Sequence, residues 1–141
     1  MTKLESKELL NNYLMNNTNL QGNYLYLGAG SNGHAYKLHN GSVIKITQDL
    51  NEIYAAESLK GKKLDFVITY HNIETISNIG YIVMDYVRPL NTFHDRKTIN
   101  DWNNIKESMR YIIEECNLDI EEVHWGNCGN HNGELIFFDL K

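Results

Sequence analysis

The sequence predicts an α+β fold: an antiparallel sheet with a helix inserted after its third strand, followed by a shorter, partly helical second part. Three observations carry that prediction. Tyr24 to Leu38 reads as strand, glycine turn and strand; Asn40-Gly41 leads directly into the β-forming run Ser42 to Thr47; and apolar residues recur at helical spacing on both sides of these strands. At 141 residues the chain fits one domain, and 42% hydrophobic content with nine Tyr, four Phe and two Trp suffices for a core without staples.

Leu9, Leu10, Tyr13 and Leu14 fall three and four apart, predicting an amphipathic helix from Thr2 to about Asn16, and an asparagine-rich linker follows. Tyr24 to Leu27 forms a strand, Gly28 to Gly33 interrupts it, and Ala35 to Leu38 resumes it. Asn40-Gly41 is expected to take positive φ at both turn positions, giving a third antiparallel strand over Ser42 to Thr47. Asp49 then caps a helix over Asn51 to Lys60, with Ile53, Ala56 and Leu59 facing inward and Gly61 as its stop. Two further apolar stretches follow, Phe66 to Ile76 and Tyr81 to Val87, and Pro89 prevents regular continuation of the second, which places a hinge at Asp85 to Leu90. Trp102, Ile105, Met109, Ile112, Ile113 and Cys116 predict a buried helix from Asp101 to Cys116. Asn132-Gly133 is a second turn, and Leu135 to Phe138 is a strand delivering Asp139. The layout is a helix over residues 1–20, a first lobe over 21–87 and a hinge with a second lobe over 88–141, all in a single domain.

A net charge of −5 with dispersed Lys and Arg argues against a nucleic-acid surface; Lys60, Lys62 and Lys63 around Gly61 read as a solvated helix end. Cys116 and Cys128 form no CxxC pair and read as packing residues in a reducing compartment. The polar start and the lack of an apolar run near 18 residues predict neither export nor membrane insertion, and the expectation is a cytoplasmic protein.

Gly28, Gly30 and Gly33 form a GxGxxG pattern. In the dinucleotide-binding version the third glycine opens a helix, whereas here a strand resumes at Ala35. The loop is thus either a flexible hairpin or a phosphate cover, in which the missing side chains let backbone amides approach anionic oxygens. Lys45 lies one hairpin further on, in Val43-Ile44-Lys45-Ile46. Alone it is a strand residue facing solvent; behind a glycine loop it is a phosphate-reaching cation, which needs an orienting carboxylate from the next helix. Glu52 and Glu57 are the candidates, and Glu52, near the helix start, is favoured.

Taken in chain order, these features resemble the protein-kinase superfamily. Gly28 to Ala35 is similar to GxGxxGxV with alanine at the valine position, Lys45 to the lysine of VAIK, and Tyr81 to Val87 to the strand and hinge between kinase lobes. Glu122-Val123-His124-Trp125-Gly126-Asn127 resembles HRDxxxxN, and more closely the DLHxGN-like loop of aminoglycoside and choline kinases and of small bacteriophage kinases; Phe138-Asp139-Leu140 stands at the place of DFG. The resemblance implies a kinase-like fold that binds ATP and Mg²⁺. Lys45 would reach the α and β phosphates, and Leu27, Ala35, Val43 and Met84 would wall the adenine slot. Backbone groups of Asp85 to Val87 would meet the adenine edge. Asn127 and Asp139 would hold the metal, and Glu122 would orient an acceptor hydroxyl.

The sequence departs from the family at Glu122, which replaces aspartate, and at Leu140, which replaces the glycine of DFG. His124 has no recognised metal spacing to His131 or to a cysteine and reads as a structural hydrogen-bonding residue. No APE-like anchor follows Asp139, so the expectation is a truncated substrate lobe, with nucleotide binding better supported than phosphotransfer. The first functional expectation is a minimal kinase acting on protein hydroxyls and carried by a bacteriophage into the host cytoplasm. The second is a pseudokinase that engages or inhibits a partner protein, and the third a small-molecule phosphotransferase. Apolar surface left uncovered by a truncated lobe makes a homodimer an option.

Overall fold

The computed structural model describes residues 1–30, 33–62, 67–89, 109–110, 113–115, 128–131 and 134–138. Helix α1 (Lys3–Met15) starts where Thr2 accepts a hydrogen bond from the Glu5 amide. Its buried residues Leu10, Tyr13 and Leu14 follow the spacing read from the sequence. Strands β1 (Leu25–Ala29), β2 (Gly33–Lys37), β3 (Val43–Thr47), β4 (Tyr70–Ile76) and β5 (Ile79–Met84) form one five-stranded antiparallel sheet in the order β1-β2-β3-β5-β4. Helix α2 (Leu50–Leu59) connects β3 to the segment before β4, with the Asp49 carboxylate accepting from the amides of Asn51 and Glu52.

Alternation along the strands separates two cores, because successive side chains point to opposite faces. On one face Tyr36, Ile44, Ile46, Tyr81 and Val83 pack against Leu10, Tyr13 and Leu14 of α1. Tyr13 stacks on Tyr81 with ring centroids 4.8 Å apart. On the other face Val43, Ile82 and Met84 pack with Ile53, Ala56 and Leu59 of α2. Gly80 makes the close approach of α2 possible: a Cβ there would stand 2.5 Å from Cγ1 of Ile53.

One turn differs from the sequence expectation. At Asn40-Gly41 only Gly41 has positive φ, +88°. The Gly41 amide donates to the Leu38 carbonyl and the Asn40 side chain accepts from the Ser42 amide, which fits a longer loop ending in a left-handed glycine better than a two-residue turn. The turn with two positive φ values is Ser77-Asn78, at 51° and 65°, between β4 and β5. Asparagine tolerates that region, and the Ile76–Ile79 register imposes it on serine as well.

Beyond the hinge, β6 (Arg88–Pro89), β7 (Cys128–His131) and β8 (Glu134–Phe137) form a second antiparallel sheet in that order. Pro89 thus enters a short strand, which it can do because β6 is an edge. A parallel bridge from Val67 to Phe137, with the Ile68 amide donating to the Phe137 carbonyl, ties this sheet to the segment that leads into β4. Met109 and Ile113 are helical and buried in the same core as α2, one turn apart as predicted. The rest of the Asp101–Cys116 stretch and Asn132-Gly133 lie outside the described residues. Among the described residues no helix is long and apolar enough to cross a membrane.

Burial raises the phenol pKa of Tyr13, Tyr36 and Tyr81 above the usual value near 10.0. The unfolded chain therefore ionises these groups first, so their contribution is complete below about pH 10 and is lost as pH rises through the folded-state values. The denaturant midpoint is expected to fall steeply above about pH 10, in step with phenolate absorbance. A midpoint that stays flat while phenolate forms would show that the three hydroxyls are not withheld from water.

Candidate functional site

The face of the sheet that carries α2 also opens into a cavity of about 490 Å³, within the ~300–1,000 Å³ range of small-molecule sites. Leu27, Ala35, Val43 and Met84 all line it, as do Gly28 and Gly30 of the glycine turn and Asp85 to Val87 of the hinge. Register explains the convergence. Ala35 pairs with Lys45 and Val43 with Met84, so their side chains emerge on one face of three adjacent strands.

Lys45 lies at the floor of this cavity and forms an ion pair of 2.5 Å with Glu52, with the two side chains only 11% and 9% exposed. Glu52 stands near the start of α2 and faces inward with Ala56 and Leu59, whereas Glu57 is exposed. The Thr47 hydroxyl, fully buried at the end of β3, donates to the second Glu52 oxygen at 3.3 Å. The same oxygen of Thr47 accepts from the Asp49 amide, joining the carboxylate to the helix cap. Thr47 has no motif signal; it is found only through the turn that folds Glu52 back onto its own strand.

The glycine turn meets the lysine directly. A Cβ on Gly30 would lie 3.8 Å from Lys45 Nζ, and a Cβ on Gly28, where φ is +153°, would meet open space. A backbone without side chains therefore stands beside the ammonium and leaves the intervening volume open. Gly33 plays another part: it opens β2, and a Cβ there would strike the Ile46 carbonyl at 2.5 Å, so its bareness serves the β2–β3 contact rather than the cavity wall.

At the hinge the Asp85 amide donates to the Thr69 carbonyl, so this N–H is engaged within the protein, which leaves the expected contact to an adenine edge to other backbone groups of Asp85 to Val87. The Asp85 carboxylate pairs with His71 at 2.6 Å, and Lys37 lies over the Tyr86 ring at 4.2 Å. Ile68 and Phe138 complete the apolar lining. Ile68 was not singled out in the sequence, and Phe138 was named there only for its place in the DFG-like triplet, because both reach the cavity through the contact between β8 and the segment before β4. Phe138 precedes Asp139 in the chain. Glu122, Asn127, Asp139, His124 and Leu140 lie outside the described residues.

The cavity thus offers apolar walls for a flat ring, one buried cation oriented by a carboxylate, and a bare backbone turn beside that cation. This combination suits a ligand with an aromatic end and an anionic end. No protein-family model matches the chain, and no curated protein matches it.

Proposed function

We propose that the protein is a minimal kinase-like phosphotransferase that binds ATP with Mg²⁺ and transfers phosphate to a hydroxyl group of a protein. The observation that carries this reading is the position of Lys45: paired with Glu52, next to Gly30, and at the floor of an apolar cavity closed by the hinge. The adenine ring would lie between Leu27, Ala35, Val43 and Met84, and the phosphates would extend under the glycine turn towards the ammonium. Glu52 and Thr47 hold that ammonium in place before the ligand arrives, so little reorganisation is needed on binding.

Asn127 and Asp139 would hold Mg²⁺, whose chemistry is to neutralise the charge that develops on the phosphates. In the transfer the acceptor oxygen bonds to the γ-phosphorus and the bond to the β-γ bridging oxygen breaks. ADP leaves with that electron pair, and the hydroxyl proton passes to the carboxylate proposed for Glu122. Glutamate in place of aspartate at this position supports a second reading, a pseudokinase that binds nucleotide and engages a partner protein without turnover.

Thermal unfolding with ATP and Mg²⁺ tests the reading. A ligand at 100 times its Kd adds about 2.7 kcal/mol, so a clear magnesium-dependent rise in Tm is expected for the native chain and not for Asp139→Ala. No shift at millimolar ATP rejects the nucleotide site. A shift without label transfer from γ-labelled ATP to any protein acceptor selects the pseudokinase.

A further inference from the structure

The glycine turn is carried by a hairpin with support on one side only. Strand β1 is the sheet edge, and Leu25 and Leu27 are 64% and 41% exposed. A glycine-rich turn at such an edge loses much conformational entropy when it is fixed, so something must hold it near Lys45. The last pair before the turn is Ala29 with His34, and of the two only Ala29 lines the cavity. His34 is only 7% exposed, and both of its ring nitrogens are engaged. Nδ1 lies 2.9 Å from the Tyr26 hydroxyl and Nε2 lies 3.0 Å from the Met1 carbonyl. A carbonyl can only accept, so Nε2 carries a proton and donates it to Met1, while Nδ1 shares a hydrogen bond with the Tyr26 hydroxyl.

The N-terminal turn adds two further contacts to the same hairpin. Lys3 Nζ lies 4.1 Å from the centre of the Tyr26 ring, and the hydroxyls of Ser6 and Tyr36 are 2.6 Å apart. The segment from Met1 to Ser6 is thereby fastened across β1 and β2 within a few residues of the turn. None of these groups lines the cavity.

We propose that His34 is a positioning residue for phosphate binding: by tying Met1 to Tyr26 it holds the β1–β2 hairpin so that Gly30 stands beside Lys45 before any ligand binds. The inference rests on the nucleotide reading of the cavity and adds the device that preorganises its phosphate end. Its signature is selectivity between two ligands. Adenosine needs only the apolar slot, whereas MgATP also needs the turn.

The test is calorimetric binding of adenosine and MgATP to the native chain and to His34→Ala, His34→Gln and Tyr26→Phe. His34→Ala is expected to weaken MgATP about tenfold and adenosine less than about twofold, since the lost preorganisation concerns the turn alone. His34→Gln, whose amide can still donate to the Met1 carbonyl, should recover most of that ratio. Without ligand, exchange of the Gly30 amide, which is bonded to the Gly33 carbonyl, should accelerate in His34→Ala. Should His34→Ala fail to fold, Tyr26→Phe removes one hydroxyl and is expected to move the same ratio in the same direction. Equal losses for the two ligands, or unchanged Gly30 exchange, would reduce His34 to core packing and overturn its positioning role while leaving the nucleotide site intact. A native chain that binds neither ligand overturns the nucleotide reading and this inference with it.

Discussion

Lys45→Met is expected to lower folding stability by about 3 kcal/mol and to abolish the ATP-dependent rise in Tm. The two effects have separate origins. The stability loss comes from Glu52, a carboxylate held 7% exposed in the protein, which loses its lysine while the Thr47 hydroxyl remains. Removing one member of a buried pair costs far more than removing both, because the remaining charge keeps its desolvation penalty. The double variant Lys45→Met with Glu52→Leu should therefore recover most of the stability in urea unfolding, since leucine extends the apolar face of α2. It should recover none of the nucleotide response, because the ammonium beside the glycine turn is gone. A single variant as stable as the native chain would show that the pair is effectively solvated. A double variant that still responds to MgATP would remove Lys45 from the phosphate site.

Gly33→Ala carries the second large effect, about 2–3 kcal/mol. The added methyl would meet the Ile46 carbonyl oxygen at 2.5 Å and the Thr47 Cα at 3.0 Å, and both are backbone atoms of the adjoining strand. Side chains can rotate away from such a contact; a paired strand cannot. Gly33 is the register partner of Thr47, so the displaced backbone is the one whose hydroxyl holds Glu52. Gly28→Ala is the control. Its methyl would meet nothing, and its cost is the backbone strain of φ at +153°, about 1 kcal/mol. Urea midpoints of the two variants should separate clearly, and a Gly33→Ala midpoint equal to that of Gly28→Ala would show that β3 yields without cost.

Much of the fold was legible because its signals are local. Thr2 and Asp49 cap their helices by side-chain geometry set within three residues, and the inward face of α2 can be read from Ile53, Ala56 and Leu59. The same reasoning distinguishes Glu52 from Glu57, since Glu52 is four residues before Ala56 and seven before Leu59, on the buried side. The cavity walls at Leu27, Ala35, Val43 and Met84 were legible only through the resemblance, which supplied the strand pairing that periodicity leaves open. Thr47 and Ile68 were not legible, nor was the place of Phe138 in the cavity wall. Thr47 acts through a turn geometry, and the other two depend on the contact of Phe137 with the Val67–Ile68 segment, about seventy positions away in the chain. Serine at the Ser77-Asn78 turn carries no strong preference for positive φ, so the register of β4 on β5 had to reveal it.

The ladder between β3 and β5 has a consequence for the order of assembly. Strands β1, β2 and β3 are joined by short connections, and so are β4 and β5, whereas β3 meets β5 only across α2 and the segment that follows it. Local hairpins close at little entropic cost and the β3–β5 ladder closes late. The glycine turn and the Lys45–Glu52 pair both belong to the early part, while Met84 and the hinge arrive with β5. The walls from the two hairpin units therefore meet only at this non-local pairing step, and a molecule that bridges them would act as a clamp on that seam of the folding route.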